Sequence, residues 1–277
     1  AGASVMTPRE RDTHHLEYIA DYDGSFSDER NGETRRLGTY TEHGHWSDAG
    51  TGFADTKLHY DITDNPFTSG SARQAACKNG KATATATWTL DIEERGNYAV
   101  YISYKTLPES STAAHYTVRH LGGTAEFSVN QRRGGGTWIY LGTFEFGKGA
   151  CVVTLDNSGR SGETVTADAV KIGGGMGKIA RGPEHGEKHT SGMPSYMEGA
   201  LYWMSWAGAG TDITQSWPKD YTNDFADRGP WTEMLVKDKD IPIDMSLAFH
   251  SDAGTMQKDS IVGTLSIYTL MADRSRK

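Results

Sequence analysis

The stretch Gly96-Asn97-Tyr98-Ala99-Val100-Tyr101-Ile102-Ser103-Tyr104 decides the fold class of this chain. Side chains 98, 100, 102 and 104 point to one side of an extended strand, and those at 99, 101 and 103 point to the other. All four side chains of the first set are apolar or aromatic. Such period-two alternation predicts a strand that buries one face in an antiparallel sheet.

The same alternation recurs on both sides of this strand. It is found at residues 82–90, 125–129, 137–146, 150–155 and 165–172. Glycine-rich and asparagine-containing turns separate these runs, at 122–123, 134–136, 147–149 and 157–159. Short strands at near-regular spacing with such turns predict an all-β jelly-roll sandwich, which we place at residues 21–175.

The pattern changes on either side of this region. A short strand is expected at Val5 and Met6, and a helix at Ser195–Trp206 with Ser195 and Glu198 as its capping box. Strands are expected to end at His250 and to run over 263–268. Strand, helix, strand is typical of α/β folds, so the sequence predicts a partial α/β domain, in segments 1–20 and 176–277, interrupted by the sandwich.

Composition limits the classes of function. The 277 residues contain 28 Lys and Arg against 36 Asp and Glu, a formal charge of −8 that disfavours nucleic-acid binding. No apolar run approaches the roughly 20 residues of a transmembrane helix. Cys77 and Cys151 are compatible with one disulfide or with two buried thiols. The chain has no G-x-S-x-G, Walker A or dinucleotide-binding motif.

Several polar residues are candidates for chemistry. His250 follows a predicted strand, where an imidazole either binds a metal in the crevice of an α/β sheet or is an inert loop histidine. His43 and His45, and the charged run 184–189, contain metal-ligand types, but a hydrated turn and a solvated linker explain them as well. Strand tryptophans such as Trp88 either stack on sugars or belong to the core.

Residues from about Leu37 to Gly174 resemble the golvesin C-terminal-like domain, a jelly-roll, carbohydrate-binding-like module of bacterial surface proteins, some of them labelled xanthan lyases. Six blocks in order carry the resemblance, and they lie at 96–102, 115–118, 127–131, 138–144, 153–157 and 167–172. The resemblance covers about half of the chain and implies glycan binding.

The flanking segments resemble zinc-dependent N-acetylmuramoyl-L-alanine amidases. Residues 1–12 are similar to the second strand of that family and its Thr-Arg-x-x-Asp signature, and 243–253 to its strand ending in a zinc-binding histidine. The resemblance implies that His250 binds Zn²⁺, that Asp252 stands where the family has Asn, and that Glu198, Asp252 and Arg9 are candidate substrate-binding residues. The other zinc ligands and the catalytic glutamate are expected outside these 277 residues.

Together, the two resemblances imply a zinc-dependent amidase that cleaves peptidoglycan outside the cytoplasm. Its intact parent would be active, whereas this chain alone would be inactive and bind zinc weakly. The β-module would hold the enzyme on peptidoglycan or another cell-surface glycan. Two alternatives remain open: a non-catalytic surface carbohydrate-binding protein, and a module associated with a polysaccharide lyase such as xanthan lyase.

Overall fold

The computed structural model describes residues 5–24, 34–182 and 186–247 of the chain. Contacts divide the chain into two units, Ala1–Ile243 and Asp244–Lys277. Of the second unit only residues 244–247 are described, and they form neither helix nor strand. The candidates His250 and Asp252 and the expected strand at 263–268 therefore lie outside the described residues.

Strands dominate the first unit, as the alternating patterns predict. In chain order they are β1 (Glu17–Ala20), β2 (Arg35–Leu37), β3 (Thr39–His43), β4 (Ser47–Gly52), β5 (Tyr60–Asp61), β6 (Gly70–Ala76), β7 (Thr85–Ile92), β8 (Gly96–Ile102), β9 (Ala114–His120), β10 (Gly123–Val129), β11 (Ile139–Phe146), β12 (Gly149–Asp156), β13 (Thr164–Ala167), β14 (Val170–Gly173) and β15 (Ile179–Ala180). The deciding stretch forms β8, and the alternations at 82–90, 125–129, 137–146 and 150–155 fall on β7, β10, β11 and β12.

Two five-stranded sheets form a sandwich. The first sheet has the strand order β11-β8-β14-β1-β2, and the second has the order β10-β9-β12-β7-β3. Two smaller sheets have the strand orders β13-β6-β4 and β15-β5. The prediction of a β-sandwich in this part of the chain is confirmed.

The main core lies between the two five-stranded sheets. Alternate residues of β7, β8, β9 and β12 supply it, and its largest members are the fully buried Trp88, Tyr98 and Tyr116. Intervening residues of the second sheet, such as Thr87, Thr117 and Thr154, are only partly buried. The second sheet therefore has one face in the core and one polar face, which is the usual arrangement of an antiparallel sheet.

Short helices cover the other face of the first sheet. They are α1 (Ala200–Trp206), α2 (Thr211–Thr214), α3 (Asp220–Ala226) and α4 (Arg228–Lys237). Trp203 and Trp206 of α1 pack in one cluster with Ala99 and Tyr101, the side chains of β8 that point away from the main core. The first sheet is thus buried on both faces. None of the helices within the described ranges is long and apolar enough to cross a membrane.

The amidase-like α/β arrangement is not found in the described residues. Val5 and Met6 form no strand, and β1, inside the expected α/β segment 1–20, pairs with β14 in the sandwich. The expected strand at 243–250 is absent through Leu247, and Met245 and Leu247 are 77% and 84% exposed. Alternation alone does not make a strand where no neighbouring strand pairs with it.

The expected boundary near residue 175 does not coincide with the division of contacts. Those contacts divide after Ile243, and β15, which follows residue 175, pairs in parallel with β5. The assignment of residues 21–175 to a separate domain stays a prediction.

The expected helix at Ser195–Trp206 is interrupted. Ser195–Met197 form a single 3-10 turn, Glu198 is extended, and α1 begins only at Ala200. The expected capping box is wrong, because the Glu198 carboxylate accepts a hydrogen bond from the Ser191 hydroxyl (2.6 Å) instead of capping a helix. The first turn of α1 is held by a distant residue, since Leu201 N donates to Asp224 Oδ1 of α3 (3.1 Å).

The alternation at 165–172 covers two strands instead of one. Asp168 interrupts it, because its buried carboxylate accepts hydrogen bonds from Phe53 N (3.1 Å) and from the Ser103 hydroxyl (2.9 Å). The chain leaves the β13-β6-β4 sheet before this residue and enters the first sheet after it.

Candidate functional site

Aromatic side chains line a pocket where the helices meet the first sheet. We call it the aromatic pocket, and its main walls are Arg11, Tyr101, Trp138, Tyr140, Trp203 and Trp231. It is partly open to solvent, and the empty volume of about 270 Å³ among its walls includes open solvent. The pocket itself has room for about one water molecule. Three elements therefore contribute to one concave surface: the N-terminal segment, the first sheet and the helices.

The Tyr101 ring of the pocket lies close to two other aromatic rings. The Tyr101 ring centroid lies 5.6 Å from that of Tyr140 and 5.5 Å from that of Trp203. The Arg11 guanidinium carbon lies 4.3 Å from the centroid of the Tyr140 ring, a cation–π distance. The pocket therefore combines flat apolar faces with one positive charge.

Two of the tryptophans that line the pocket have buried, unpaired indole donors. Trp138 and Trp231 are 2% and 3% exposed, and within the described residues their indole Nε1–H groups have no partner. Leaving a buried donor unpaired costs about 1–3 kcal/mol.

A buried ion pair lies beneath the pocket. Lys171 Nζ donates to Glu10 Oε2 (2.6 Å), and both side chains are 1% exposed or less. The same Nζ lies 4.7 Å from the Tyr101 ring centroid. Glu10 Oε1 accepts from the Tyr101 hydroxyl (2.8 Å) and from Arg11 N (2.8 Å), and burial with the Glu10 charge raises the pKa of Tyr101. This network fixes the N-terminal segment against β8.

Trp138 is held rigidly. The preceding Thr137 hydroxyl donates to Ala207 O at the end of α1 (2.8 Å). The Trp138 ring packs against the rings of Phe53 and Phe67, with centroids 4.8 Å and 5.3 Å away. Its position is therefore set before any ligand arrives.

A second group of aromatic rings is exposed on the helical layer. We call Trp217, Tyr221 and Phe225 the exposed aromatic strip, and their exposed fractions are 52%, 83% and 54%. The Tyr221 and Phe225 rings of α3 are 5.7 Å apart. Asn223 receives a hydrogen bond from Trp217 N (2.7 Å) and donates to Trp217 O (3.0 Å), which attaches Trp217 to α3. Exposed apolar surface of this kind commonly marks a binding site.

The sequence-predicted residues Arg9 and Glu198 are neighbours. Arg9 Nη1 donates to the Glu198 backbone carbonyl (3.1 Å). The Glu198 side chain is buried, and this burial raises the pKa of its carboxyl group to about 7. Arg9 is exposed. The contact joins the two residues. Their expected role in substrate binding stays a prediction.

Metal binding is likewise untested at the expected positions. His250 lies outside the described residues, as do His185 and Glu184 of the charged run. His43 and His45 are exposed. In residues 5–24, 34–182 and 186–247, no group of three or more His, Cys, Asp or Glu is arranged to hold a metal ion. Zinc at His250 stays a prediction.

The tryptophans of the β-region and the cysteines belong to the core. Trp46, Trp88 and Trp138 are 6%, 0% and 2% exposed. Cys77 and Cys151 are free and buried, and burial raises the pKa of the Cys151 thiol to about 12. The sequence analysis missed the rings of Trp203, Trp217 and Trp231. The high density of aromatic residues between 202 and 231 was the signal that could have identified them.

The fold and these two aromatic surfaces define a β-sandwich domain with a helical layer. The Golvesin C-terminal domain family matches residues 34–174. This match covers half of the chain, and the chain belongs to that family.

Individual relatives are similar to parts of the chain. A xanthan lyase of Bacillus sp. (strain GL1) is 38% identical over 96 residues, which are 34% of this chain and 10% of that protein. The structure of Paenibacillus xanthan lyase aligns over 57% of this chain and 13% of that one, with 26% identity and a TM-score of 0.42. CBM35 from Cellvibrio japonicus Abf62 aligns over 50% of this chain and 94% of that one, with 16% identity and a TM-score of 0.26. The chain spans about a tenth of the curated relative.

These findings correct the expected activity. The expectation of an N-acetylmuramoyl-L-alanine amidase is wrong, because the curated relative that the chain matches is a xanthan lyase. The segment expected to begin the amidase sheet instead contributes β1 to the sandwich. The alternative of a lyase-associated, carbohydrate-binding module agrees better with the comparisons than the amidase does.

Proposed function

We propose that this chain is a non-catalytic glycan-binding domain of a larger extracellular protein that acts on polysaccharide. The observation that carries the proposal is the exposed aromatic strip, in which the Tyr221 and Phe225 rings of α3 and the Trp217 ring of the preceding loop are all open to solvent. The flat face of an aromatic ring packs well against the apolar face of a pyranose, while the hydroxyl groups at the rim of the sugar remain hydrated. A polysaccharide can contact several such rings at once.

The comparisons support a polysaccharide as the ligand. The curated relative is named for xanthan, and it is about ten times as long as the matched region. A domain covering so small a share of a lyase can bind the polymer while the remaining chain acts on it. We therefore take xanthan as the first ligand to test and peptidoglycan as the second.

Affinity for soluble xanthan tests the proposal, measured by affinity electrophoresis and isothermal titration calorimetry. We expect the combined variant Trp217→Ala, Tyr221→Ala, Phe225→Ala to bind at least about tenfold more weakly, a loss of about 1.4 kcal/mol. Leu121→Ala is the matched control, because Leu121 is also an exposed apolar residue (53%) but belongs to the sandwich. Unchanged affinity in the triple variant, or no binding of either polymer by the unmodified chain, would refute the proposed function.

A further inference from the structure

Two buried carboxyl groups lie close together beside the first sheet. Asp21 directly follows β1, and Asp168 lies between β13 and β14. Ala20 and Val170 are antiparallel partners at the end of β1 and the start of β14, so the chain just beyond this pair carries both carboxyl groups. Asp21 and Asp168 are only 4% and 1% exposed. Two groups of like charge are therefore held close to each other and away from water.

A pair of glycines makes room for these carboxylates and for a third one. Gly52 of β4 and Gly70 of β6 are opposite each other in the ladder. A Cβ atom on Gly52 would lie 2.9 Å from Asp168 Oδ1. One on Gly70 would lie 2.5 Å from Asp23 Oδ2. Because the Cβ positions of opposite residues are about 4.5–5.5 Å apart on one face of a sheet, both carboxylates lie over the same cross-strand pair. Asp23 is exposed, which gives this place a route to solvent.

None of the three carboxyl groups is paired with a cation in the part of the chain that the structure describes. The groups that donate to Asp168 and Asp23 are backbone N–H groups and serine hydroxyls. Lys105 is the cation whose charge reaches Asp168, and its ammonium donates to the Thr51 hydroxyl (3.1 Å). Burial, together with the charges of Asp168 and Asp23, raises the pKa of Asp21 to about 9. The cluster therefore has negative charge that the described residues leave without a counter-ion.

One oxygen atom of this cluster has no hydrogen-bond donor. Asp21 Oδ1 accepts from Tyr22 N (2.8 Å), whereas Asp21 Oδ2 has no partner within residues 5–24, 34–182 and 186–247. Asp21 is 96% buried, and buried polar groups in native proteins nearly always have a partner, either protein, ordered water or an ion. An unpartnered oxygen beside two other carboxylates attracts a cation, so the missing ligand is positively charged.

The available ligand atoms select a hard cation. All of them are oxygens, from the carboxylates and from the Phe53 carbonyl, which lies with Asp23 Oδ2 around the Cβ position of Gly70. Zn²⁺ in structural sites is held mainly by Cys and His, whereas Ca²⁺ takes about 6–8 oxygens, which include backbone carbonyls and waters. No three ligand side chains converge on one point in the described ranges, so carbonyls and waters have to complete the shell, as Ca²⁺ allows.

We infer that Asp21 and Asp168 bind a Ca²⁺ ion, with Asp23 on its solvent side. The ion neutralises the carboxylates and joins the end of β1 to the turn between β13 and β14 and to the β4–β6 pair. Ca²⁺ sites of extracellular modules typically have dissociation constants of about 10⁻⁴–10⁻³ M, which matches the extracellular setting of the proposed function. The inference does not use the exposed aromatic strip, so its outcome is independent of that function.

Terbium luminescence tests this site directly. Tb³⁺ occupies oxygen-ligated Ca²⁺ sites and emits light when a neighbouring indole is excited. Trp88 is such an indole, because its Nε1 donates to Asp168 O (2.9 Å). We expect the full chain, freed of metal with EGTA, to give tryptophan-sensitised emission that saturates with Tb³⁺ and that Ca²⁺ displaces at about millimolar concentration.

Thermal unfolding gives a second measurement. We expect about 10 mM CaCl₂ to raise the melting temperature of the EGTA-treated full chain by at least about 3 °C, and MgCl₂ at the same ionic strength to raise it by less than half as much. Asp21→Asn should remove the shift and weaken Tb³⁺ binding at least about tenfold. Asp91→Asn is the matched control, because Asp91 is an exposed aspartate of β7, and it should change neither.

Several results would overturn the inference. They are emission that Ca²⁺ does not displace, a melting temperature that Ca²⁺ leaves unchanged or that Mg²⁺ raises equally, and equal Ca²⁺ shifts in Asp21→Asn and Asp91→Asn. The buried pair would then be neutralised by a proton and not by a metal. If the Asp21→Asn variant does not fold, the two assays on the unmodified chain still decide between these two states.

Discussion

The Glu198 side chain places its carboxyl group in a buried site, where one hydroxyl donates a hydrogen bond to it. Its Oε1 accepts from the Ser191 hydroxyl (2.6 Å), and a Cβ on Gly177 would come 2.6 Å or less from its carboxylate atoms. Glycine at 177 is therefore what makes room for the carboxyl group. Burial raises its pKa to about 7 from an ordinary 4.5, so the group releases its proton less easily in the folded chain than in the unfolded one.

This shift predicts a pH-dependent effect of Glu198→Gln on the free energy of unfolding. Because the folded-state pKa is the higher one, the stabilisation from the protonated carboxyl is fully present below about pH 4.5 and is lost as the pH rises through about 7. Glutamine stays neutral and still accepts the Ser191 bond. We expect the variant to match the unmodified chain at pH 5 and to exceed it by about 1–2 kcal/mol at pH 8.

Urea unfolding at the two pH values measures this difference. Glu94→Gln is the control, since Glu94 is exposed and should change stability little at either pH. A Glu198→Gln difference that is the same at pH 5 and pH 8 would contradict the assigned pKa shift.

At the level of single elements, alternation was a good predictor of strands and local spacing a poor predictor of helix limits. The runs at 82–90, 98–104, 125–129 and 150–155 became strands because each has neighbours on both sides in a sheet or an adjoining turn that closes a hairpin. Ser195 and Glu198 have capping-box spacing, yet the first turn of α1 is held by Asp224, 23 residues after Leu201. A rule based on local spacing cannot predict a hydrogen-bond partner that is so distant in the sequence.

Asp224 is therefore expected to stabilise two helices at once. Its Oδ1 accepts from Leu201 N in α1 (3.1 Å), and its Oδ2 accepts from Arg228 Nη2 in α4 (2.7 Å). Loss of a cap typically costs about 1 kcal/mol, so we expect Asp224→Ala to lower the free energy of unfolding by about 1–2 kcal/mol, as measured by urea unfolding.

Two variants control this measurement. Asp224→Asn keeps an acceptor for Leu201 N and should retain more than half of the stability lost in the alanine variant. Asp212→Ala removes an exposed aspartate from the first turn of α2 and should cost less than about 0.5 kcal/mol. If Asp224→Ala costs no more than Asp212→Ala, the proposed cap of α1 has no energetic role.

At the level of the whole molecule, the first sheet differs from the second because both of its faces are buried. The outward side chains of β8, Ala99 and Tyr101, are apolar or aromatic and pack with the helical layer, whereas those of the second sheet are mostly polar, with threonine the most frequent type. A strand with apolar residues on both sides is typical of a sheet covered on both faces. Residues 98–104 have that feature in the sequence, but their alternation led only to the prediction of a strand with one buried face.

The change of pattern near residue 175 had a different physical meaning from the one expected. It marks the point where the chain leaves the strands and begins to cover the first sheet, because Trp203, Trp206 and Ala207 join the cluster that contains Phe53 and Trp138. The aromatic pocket could not be predicted from sequence for the same reason. Its walls come from positions as far apart as Arg11, Tyr101 and Trp231, and only the packing of the helical layer brings them together.

Removal of the helical layer is therefore expected to destabilise the sandwich. A chain ending at residue 182 would expose Phe53, Tyr101 and Trp138, which are at most 2% exposed in the intact fold. Since burying one large apolar side chain contributes about 1.5–3 kcal/mol, we expect this truncation to melt at least about 10 °C lower or to aggregate, and to bind a hydrophobic dye. A chain ending at residue 247 retains the helical layer and is the control. A truncation at 182 that melts like this control would instead show that the sandwich folds independently of the helices.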